Sequence, residues 1–237
     1  MSLWSRISDA LAALVSGEGL TAVFDRLRTA PAPERSVGFT IAMIALGAKM
    51  AKADGIVTRD EVYAFRQIFT IPPEEEKNAA RVFNLARQDV AGYQTYARKA
   101  AALFNTEGVA LCADDRNVLI DLLEGLFHIA MADGGYHPAE DAFLADVARI
   151  FGLDRRCFTL MRARFVEGAA RDPHDVLGIA ADASLEQARA AWRAAVKESH
   201  PDRMIARGVP AEAVQLANRR LIAINAAWAE LQARQAA

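Results

Sequence analysis

Apolar residues recur every three to four positions along nearly the whole chain, which is the spacing of one helix face. They begin at Leu3 and predict a short amphipathic helix that ends before Gly17. The pattern returns over residues 20–27 and, after a break at 31–33, continues with interruptions over residues 34–168. Because strand-type alternation is absent from the sequence and alanine is abundant, we expect an all-α fold.

One short motif occurs twice, 79 positions apart. Ala51–Gly55 reads Ala-Lys-Ala-Asp-Gly and Ala130–Gly134 reads Ala-Met-Ala-Asp-Gly, and each copy has a glutamate seven residues after its aspartate, Glu61 and Glu140. Helical patterns flank both copies, and the helix after the second copy should begin at Pro138. The repeat predicts two related helical hairpins that face each other in one bundle.

The C-terminal segment predicts a helical hairpin with a polar loop at its tip. Ser184–Gln187 has the pattern of a capping box that opens a helix, and Pro201 should end that helix at about Ser199. The loop is expected to run from His200 to Pro210, where a long helix starts. The buried face of the long helix is expected to consist of Val214, Leu216, Ala217, Leu221, Ile224, Trp228 and Leu231.

The landmarks of this segment resemble those of a J-domain. Leu177-Gly178 precedes the capping box, Ala191–Arg193 lies in the next helix, His200–Arg203 follows it, and Ile224–Trp228 lies in the last helix. The long insertion at residues 204–210 further resembles the DjlA branch of the J-protein family, and this resemblance covers most of the chain.

The J-domain resemblance implies a co-chaperone that recruits a DnaK-type chaperone and stimulates its ATPase. The loop would be His200, Pro201 and Asp202, and the basic docking face would be Arg189, Arg193, Lys197 and Arg203. The residues themselves leave open that three of these cations, which are spaced four apart on one side of a helix, form an ordinary solvated face.

The repeated Ala-x-Ala-Asp-Gly pattern with its glutamate resembles the TerB fold, a helical module named from tellurite-resistance proteins. The resemblance implies that acidic residues hold a divalent metal, and here these would be Asp54, Glu61, Asp133 and Glu140. A second interpretation stays open, in which each Asp-Gly ends a helix and each glutamate caps the next one. No other cofactor is expected.

These patterns divide the chain into an N-terminal amphipathic segment (1–33), a TerB-like helical domain (34–170) and a J-domain (171–237). The TerB-like domain would bind a partner or an unknown client, or sense a condition. Two alternatives remain: a metal-binding stress-response module with the J-domain as a docking element, and a hydrolase that uses buried carboxylates.

Composition narrows the range of partners. The formal net charge is -2 and the pI is about 6.1, which disfavours nucleic acid as a partner.

Two features of the sequence lead us to expect a cytoplasmic protein. The longest apolar stretch, residues 37–48, is too short to cross a bilayer. Cys112 and Cys157 are its two cysteines, which fits a reducing compartment. Neither a catalytic triad nor a phosphate loop matches the residue spacing, so we expect no enzyme activity. The amphipathic first helix permits a homodimer.

Overall fold

The computed structural model describes the chain in residue ranges 3–14, 18–27, 32–53, 71, 73–88, 92–104, 113–132, 135–165, 172–207, 209–210 and 214–236. The helices are α1 (Leu3–Ala12), α2 (Thr21–Leu27), α3 (Ala32–Ala53), α4 (Glu76–Gln88), α5 (Tyr93–Phe104), α6 (Ala113–Ala130), α7 (Pro138–Ile150), α8 (Arg155–Phe165), α9 (Pro173–Leu177), α10 (Leu185–Glu198), α11 (Pro201–Arg207) and α12 (Val214–Ala236). A 3₁₀ turn, Pro73–Glu75, precedes α4. These ranges contain no strand, and the predicted all-α fold class is confirmed.

α3 is the central helix of the bundle. Every residue from Val37 to Met50 is buried, as expected of a helix that is apolar around almost its whole circumference. Helices α1, α4, α5 and α6 pack around it. Gly38 permits the close approach of α5, because a Cβ at this position would lie 2.7 Å from Leu103 Cδ1. α3 and α6, the first helices of the two sequence repeats, are in contact. The second helix expected for the first repeat lies outside the described residues, so the pairing of two hairpins stays a prediction.

α1 packs against this bundle with its apolar face. Trp4, Ile7 and Leu11 are buried in the bundle core, and Ser8 Oγ donates a hydrogen bond to Asn78 Oδ1 of α4 at 3.2 Å. The predicted N-terminal helix is confirmed, and the predicted homodimer stays a prediction. Among the helices in the described ranges, none combines the length and hydrophobicity needed to span a membrane.

Helices α9, α10 and α12 form the predicted C-terminal hairpin around a separate small core. Its capping box is present, since the Ser184 amide donates to Gln187 Oε1 at 2.8 Å and the Gln187 amide donates to Ser184 Oγ at 3.2 Å. Trp192 stacks on Trp228 with ring centroids 5.4 Å apart, and its Nε1 donates to Asn225 Oδ1 at 2.9 Å. The buried side chains of this core are Val176, Leu177, Ala188, Ile224, Ala227 and Leu231.

One expectation for this hairpin is wrong. The segment expected to be a loop from His200 to Pro210 is helical over Pro201–Arg207, because a proline at the first helical position gives up an amide that has no helical partner there. Leu216 is buried, as expected, and the core that it joins is that of the bundle. The side chains of Val214 and Ala217 lie outside the described part of the structure.

A buried ion cluster joins the hairpin to the bundle. Arg220 Nη2 of α12 lies 2.6 Å from both Asp121 Oδ1 and Glu124 Oε2 of α6, and Arg220 Nε donates to the same Glu124 oxygen at 3.0 Å. The three side chains are 12%, 0% and 7% exposed, respectively. Burial alone would lower the pKa of Arg220, but the charges of Glu124 and Asp121 outweigh it and raise that pKa above its ordinary value.

Replacing Arg220 with methionine should destabilise the protein strongly. The substitution keeps an apolar side chain at the site but leaves two carboxylates buried one helical turn apart without their cation, which typically costs ~3–5 kcal/mol. Urea unfolding of the full chain measures the loss. Arg234→Ala is the control on the same helix, because Arg234 forms an exposed pair with Glu230, and its effect should stay below ~1 kcal/mol. Equal effects of the two substitutions would contradict this account of the junction.

His128 lies beside this cluster on α6 and is largely shielded from solvent. Arg219 Nη1 of α12 donates a hydrogen bond to the imidazole, with its Nδ1 at 2.9 Å. Burial and, to a lesser extent, the charge of Arg219 lower the pKa of His128 to about 4. The ring is therefore neutral in the folded protein at pH 7. Only a neutral imidazole has a ring nitrogen that can accept a hydrogen bond from arginine.

The free energy of unfolding should fall as the pH is lowered from about 6.5 to about 4. In this window the unfolded chain binds a proton on His128 that the folded chain does not bind, whereas above about 6.5 neither state binds it. We expect a loss of ~1–2 kcal/mol, because solvent screening of the partly exposed ring reduces the effect. Urea unfolding at pH 7 and at pH 4.5 measures it.

His128→Asn should flatten this pH dependence, and His137→Asn, which removes an exposed imidazole, is the matched control. If both variants keep the wild-type slope, then His128 does not carry the effect.

Candidate partner-binding surface

The His-Pro-Asp segment forms the corner between α10 and α11. α10 closes at Ser199, whose amide donates to the Ala195 carbonyl at 3.0 Å. Pro201 then opens α11, and the Asp202 amide donates to His200 Nδ1 at 3.2 Å. The imidazole thereby satisfies one of the free amides at the N-terminus of α11, and the Asp202 carboxylate in the first turn has a favourable interaction with the helix dipole.

Both polar side chains of this corner face solvent. The His200 side chain is 56% exposed and that of Asp202 is 87% exposed, and Asp202 Oδ2 lies 3.7 Å from His200 Nδ1. An aspartate in this position can pair with a cation of a partner without any rearrangement of its own chain. The structure therefore brings together the loop residues that the sequence predicted and leaves them accessible.

Three of the four predicted cations lie on one exposed side of α10. Arg189, Arg193 and Lys197 are all exposed, while Ala188 of the same helix is buried in the hairpin core. Arg203 differs from them, because its Nη1 forms an ion pair with Glu198 Oε1 and its side chain is only partly exposed. The row that faces solvent thus consists of three positive charges and leads toward Asp202. We call these three residues the basic row.

Sequence reasoning missed two residues beside this surface. Glu198 Oε2 accepts a hydrogen bond from Asn117 Nδ2 of α6 at 3.1 Å, while Glu198 Oε1 binds Arg203. No local signal could have identified them, because the pairing joins positions that are 81 residues apart. Glutamate in the last turn of a helix is also disfavoured by the helix dipole, so only the tertiary contact accounts for it.

Three of the four predicted metal ligands, Asp54, Glu61 and Asp133, lie outside the described residues. The structure therefore does not test whether the four side chains lie close together. Glu140 is buried, and its Oε2 accepts a hydrogen bond from the His137 amide at 2.9 Å, as in a capping box at the start of α7. Within the described ranges, no group of three or more His, Cys, Asp or Glu side chains is placed to hold a metal ion. Glu140 matches the capping interpretation, and the metal site stays a prediction.

Comparisons with known proteins extend over both parts of the chain. Residues 40–163 match the family described as tellurite resistance protein TerB. The chain is 27% identical to the Co-chaperone protein DjlA of Photobacterium profundum, over 82% of this chain and 77% of that protein. It is 22% identical to the protein of that name from Escherichia coli (strain K12), over 96% of each chain.

A third relative, the Co-chaperone protein DjlA of Shewanella oneidensis, is 31% identical over 42% of each chain. No solved structure matches the chain significantly. The TerB match covers more than half of the 237 residues, and the similarity to the DjlA proteins continues through the hairpin that carries His200–Asp202. The chain therefore belongs to the TerB family and, as its sequence motifs predicted, is DjlA-like along most of its length.

Proposed function

We propose that this protein is a co-chaperone that recruits a DnaK-type chaperone and stimulates its ATP hydrolysis through His200, Pro201 and Asp202. The observation that carries the proposal is the exposed Asp202 carboxylate at the end of the exposed basic row. The name of the relatives, Co-chaperone protein DjlA, supports the same role. The TerB-like bundle would bind a client or a second partner, or sense a condition.

The two features of this surface would contribute differently to binding. Exposed cations on α10 attract an acidic partner surface at long range and raise the association rate, an effect that salt screens. The Asp202 carboxylate would pair with a partner cation at close range and lose most of its exposure on binding. Removing one member of such a desolvated pair costs ~2–5 kcal/mol, so affinity should depend chiefly on Asp202.

In this proposal the protein carries out no chemistry of its own. Among the described residues, the buried carboxylates Asp121 and Glu124 are bound to Arg220, and Glu140 acts as a helix cap. The hydrolase and metal-binding alternatives depend on Asp54 and Asp133, which lie outside the described residues, so both stay predictions. The exposed Asp202 and the names of the relatives support the co-chaperone proposal.

His200→Gln and Asp202→Asn should each abolish the stimulation of a DnaK-type chaperone at concentrations at which the wild-type protein stimulates it fully. Single-turnover ATP hydrolysis by the purified chaperone, measured against increasing concentrations of this protein, tests the proposal. Loss of the Asp202 charge should raise the half-maximal concentration by about 25-fold or more, which corresponds to ~2 kcal/mol. Asp182→Asn is the matched control, since Asp182 is an exposed aspartate that lies before the opposite end of α10. No stimulation by the wild-type protein would refute the proposal.

Replacing the basic row should slow association in a salt-dependent manner. Combined Arg189→Ala, Arg193→Ala and Lys197→Ala substitutions remove three exposed charges without touching the hairpin core. Association with the chaperone, followed by stopped-flow fluorescence, should slow about tenfold or more at low salt and much less at about 0.5 M salt. Arg155→Ala with Arg156→Ala on α8 removes exposed charges elsewhere and should have a smaller effect. Equal effects of the two sets would show that only net charge matters.

A further inference from the structure

The buried apolar side chains that follow the His-Pro-Asp corner belong to the bundle core, although the segment also contacts its own hairpin. Met204 of α11 and Val209 after it are fully buried, and Leu216 of α12 is nearly so. All three belong to the bundle core rather than to the hairpin core. The apolar side of this segment is therefore fixed by residues that precede the hairpin in sequence.

Contacts with α6 surround this segment. α11 packs against α6, and Leu216 of α12 lies beside Gly125 of α6, where a Cβ would be at an ordinary van der Waals distance of 3.7 Å from Leu216 Cδ1. One turn along α12 from Leu216, Arg220 is bound by Asp121 and Glu124. Apolar burial and a buried ion cluster thus hold the start of α12 on the same helix of the bundle.

A third contact with α6 lies directly before the corner. Glu198 joins Asn117 of α6 to Arg203 of α11, with one carboxylate oxygen on each side. Glu198 lies two residues before His200, and the buried Met204 lies two residues after Asp202. The exposed corner is therefore held by the bundle at both of its ends.

The hairpin core buries few side chains that could fix the conformation of the corner. In the described ranges its own core consists of six buried side chains, three of which lie on α12 beyond Arg220. Small units with so few buried apolar residues are marginally stable and adapt their loops easily. A binding segment that is already in its bound conformation avoids the entropy cost of ordering on association.

We propose that the TerB-like bundle positions the His-Pro-Asp segment for the chaperone, so that bundle and hairpin act as one stimulating unit. Asn117 and Glu198 are then positioning residues, although Asn117 lies outside the hairpin. This inference rests on the proposed co-chaperone function. It assigns to the bundle a role in the stimulation itself, in addition to any binding of clients.

The test uses the full chain with Asn117→Ala, Glu198→Ala and the double variant. Asn84→Ala is the matched control, because Asn84 is an asparagine on α4 of the same bundle, far in sequence from the corner. Four quantities are measured for each protein: the rate of amide hydrogen exchange at Asp202, Arg203 and Met204, the concentration that gives half-maximal stimulation of ATP hydrolysis, the maximal stimulation, and the thermal midpoint. The Arg203 and Met204 amides donate to the His200 carbonyl at 3.0 and 3.1 Å and so report the first turn of α11.

Each single variant should accelerate exchange at these amides about threefold to tenfold and raise the half-maximal concentration by a similar factor. The maximal stimulation should change little, because His200 and Asp202 are intact. The double variant should resemble the single variants, since all three break the same link between α6 and α11. The thermal midpoint should stay close to that of Asn84→Ala.

Two results would overturn the inference. In the first, Asn117→Ala leaves exchange and half-maximal concentration at the values of Asn84→Ala. In the second, only the thermal midpoint falls, which is the signature of a purely structural contact. Failure of the co-chaperone function is separate from both, because it appears as no stimulation by the wild-type protein, while hydrogen exchange still reports the positioning.

Discussion

The pairing of Arg220 with Asp121 and Glu124 is the constraint on which the arrangement of the two parts depends. Removing three charges from water is expensive, and their mutual attraction offsets that expense only when the geometry is good. Both carboxylates lie 2.6 Å from the same guanidinium nitrogen, so α12 can pack on α6 in one register only. The cluster thereby sets the direction in which the hairpin leaves the bundle.

That direction decides which surfaces remain accessible. The start of α12 and the apolar side of α11 are covered by α6, while the basic row of α10 and the side chains of His200 and Asp202 face solvent. In the proposed function, the charged surface would combine long-range attraction of a partner with a small ordering cost on binding, because the bundle holds the residues on both sides of it.

Membership in the TerB family does not by itself make the bundle a metal site. A buried glutamate needs a hydrogen-bonding partner, and Glu140 finds one in the His137 amide at the start of α7. Its place in the repeat is therefore explained by helix capping, which every helical hairpin of this kind requires.

Local signals in the sequence determined the helices and the composition of the exposed corner. The Ser184 and Gln187 pair opens α10, Pro138 opens α7, and Pro201 separates α10 from the next element, because each of these effects acts within one helical turn. Arg189, Arg193 and Lys197 are spaced four residues apart, about one helical turn, so they lie on one side of α10. Most of the proposed partner-binding surface could therefore be located from the sequence.

Only the tertiary structure decided which core each apolar residue of the last segment joins. Periodicity shows that Leu216 is buried but carries no information on the surface that buries it. Met204 lies in the segment that was expected to be a loop, so its burial in the bundle core was not predicted. The α6 partners of Arg220 and Glu198 could not be predicted either, because they lie 81 to 99 positions away and such distant pairs leave no periodic pattern in the sequence. The sequence thus determined most of the helices and the charged corner, whereas long-range packing on α6 determined how that corner is held.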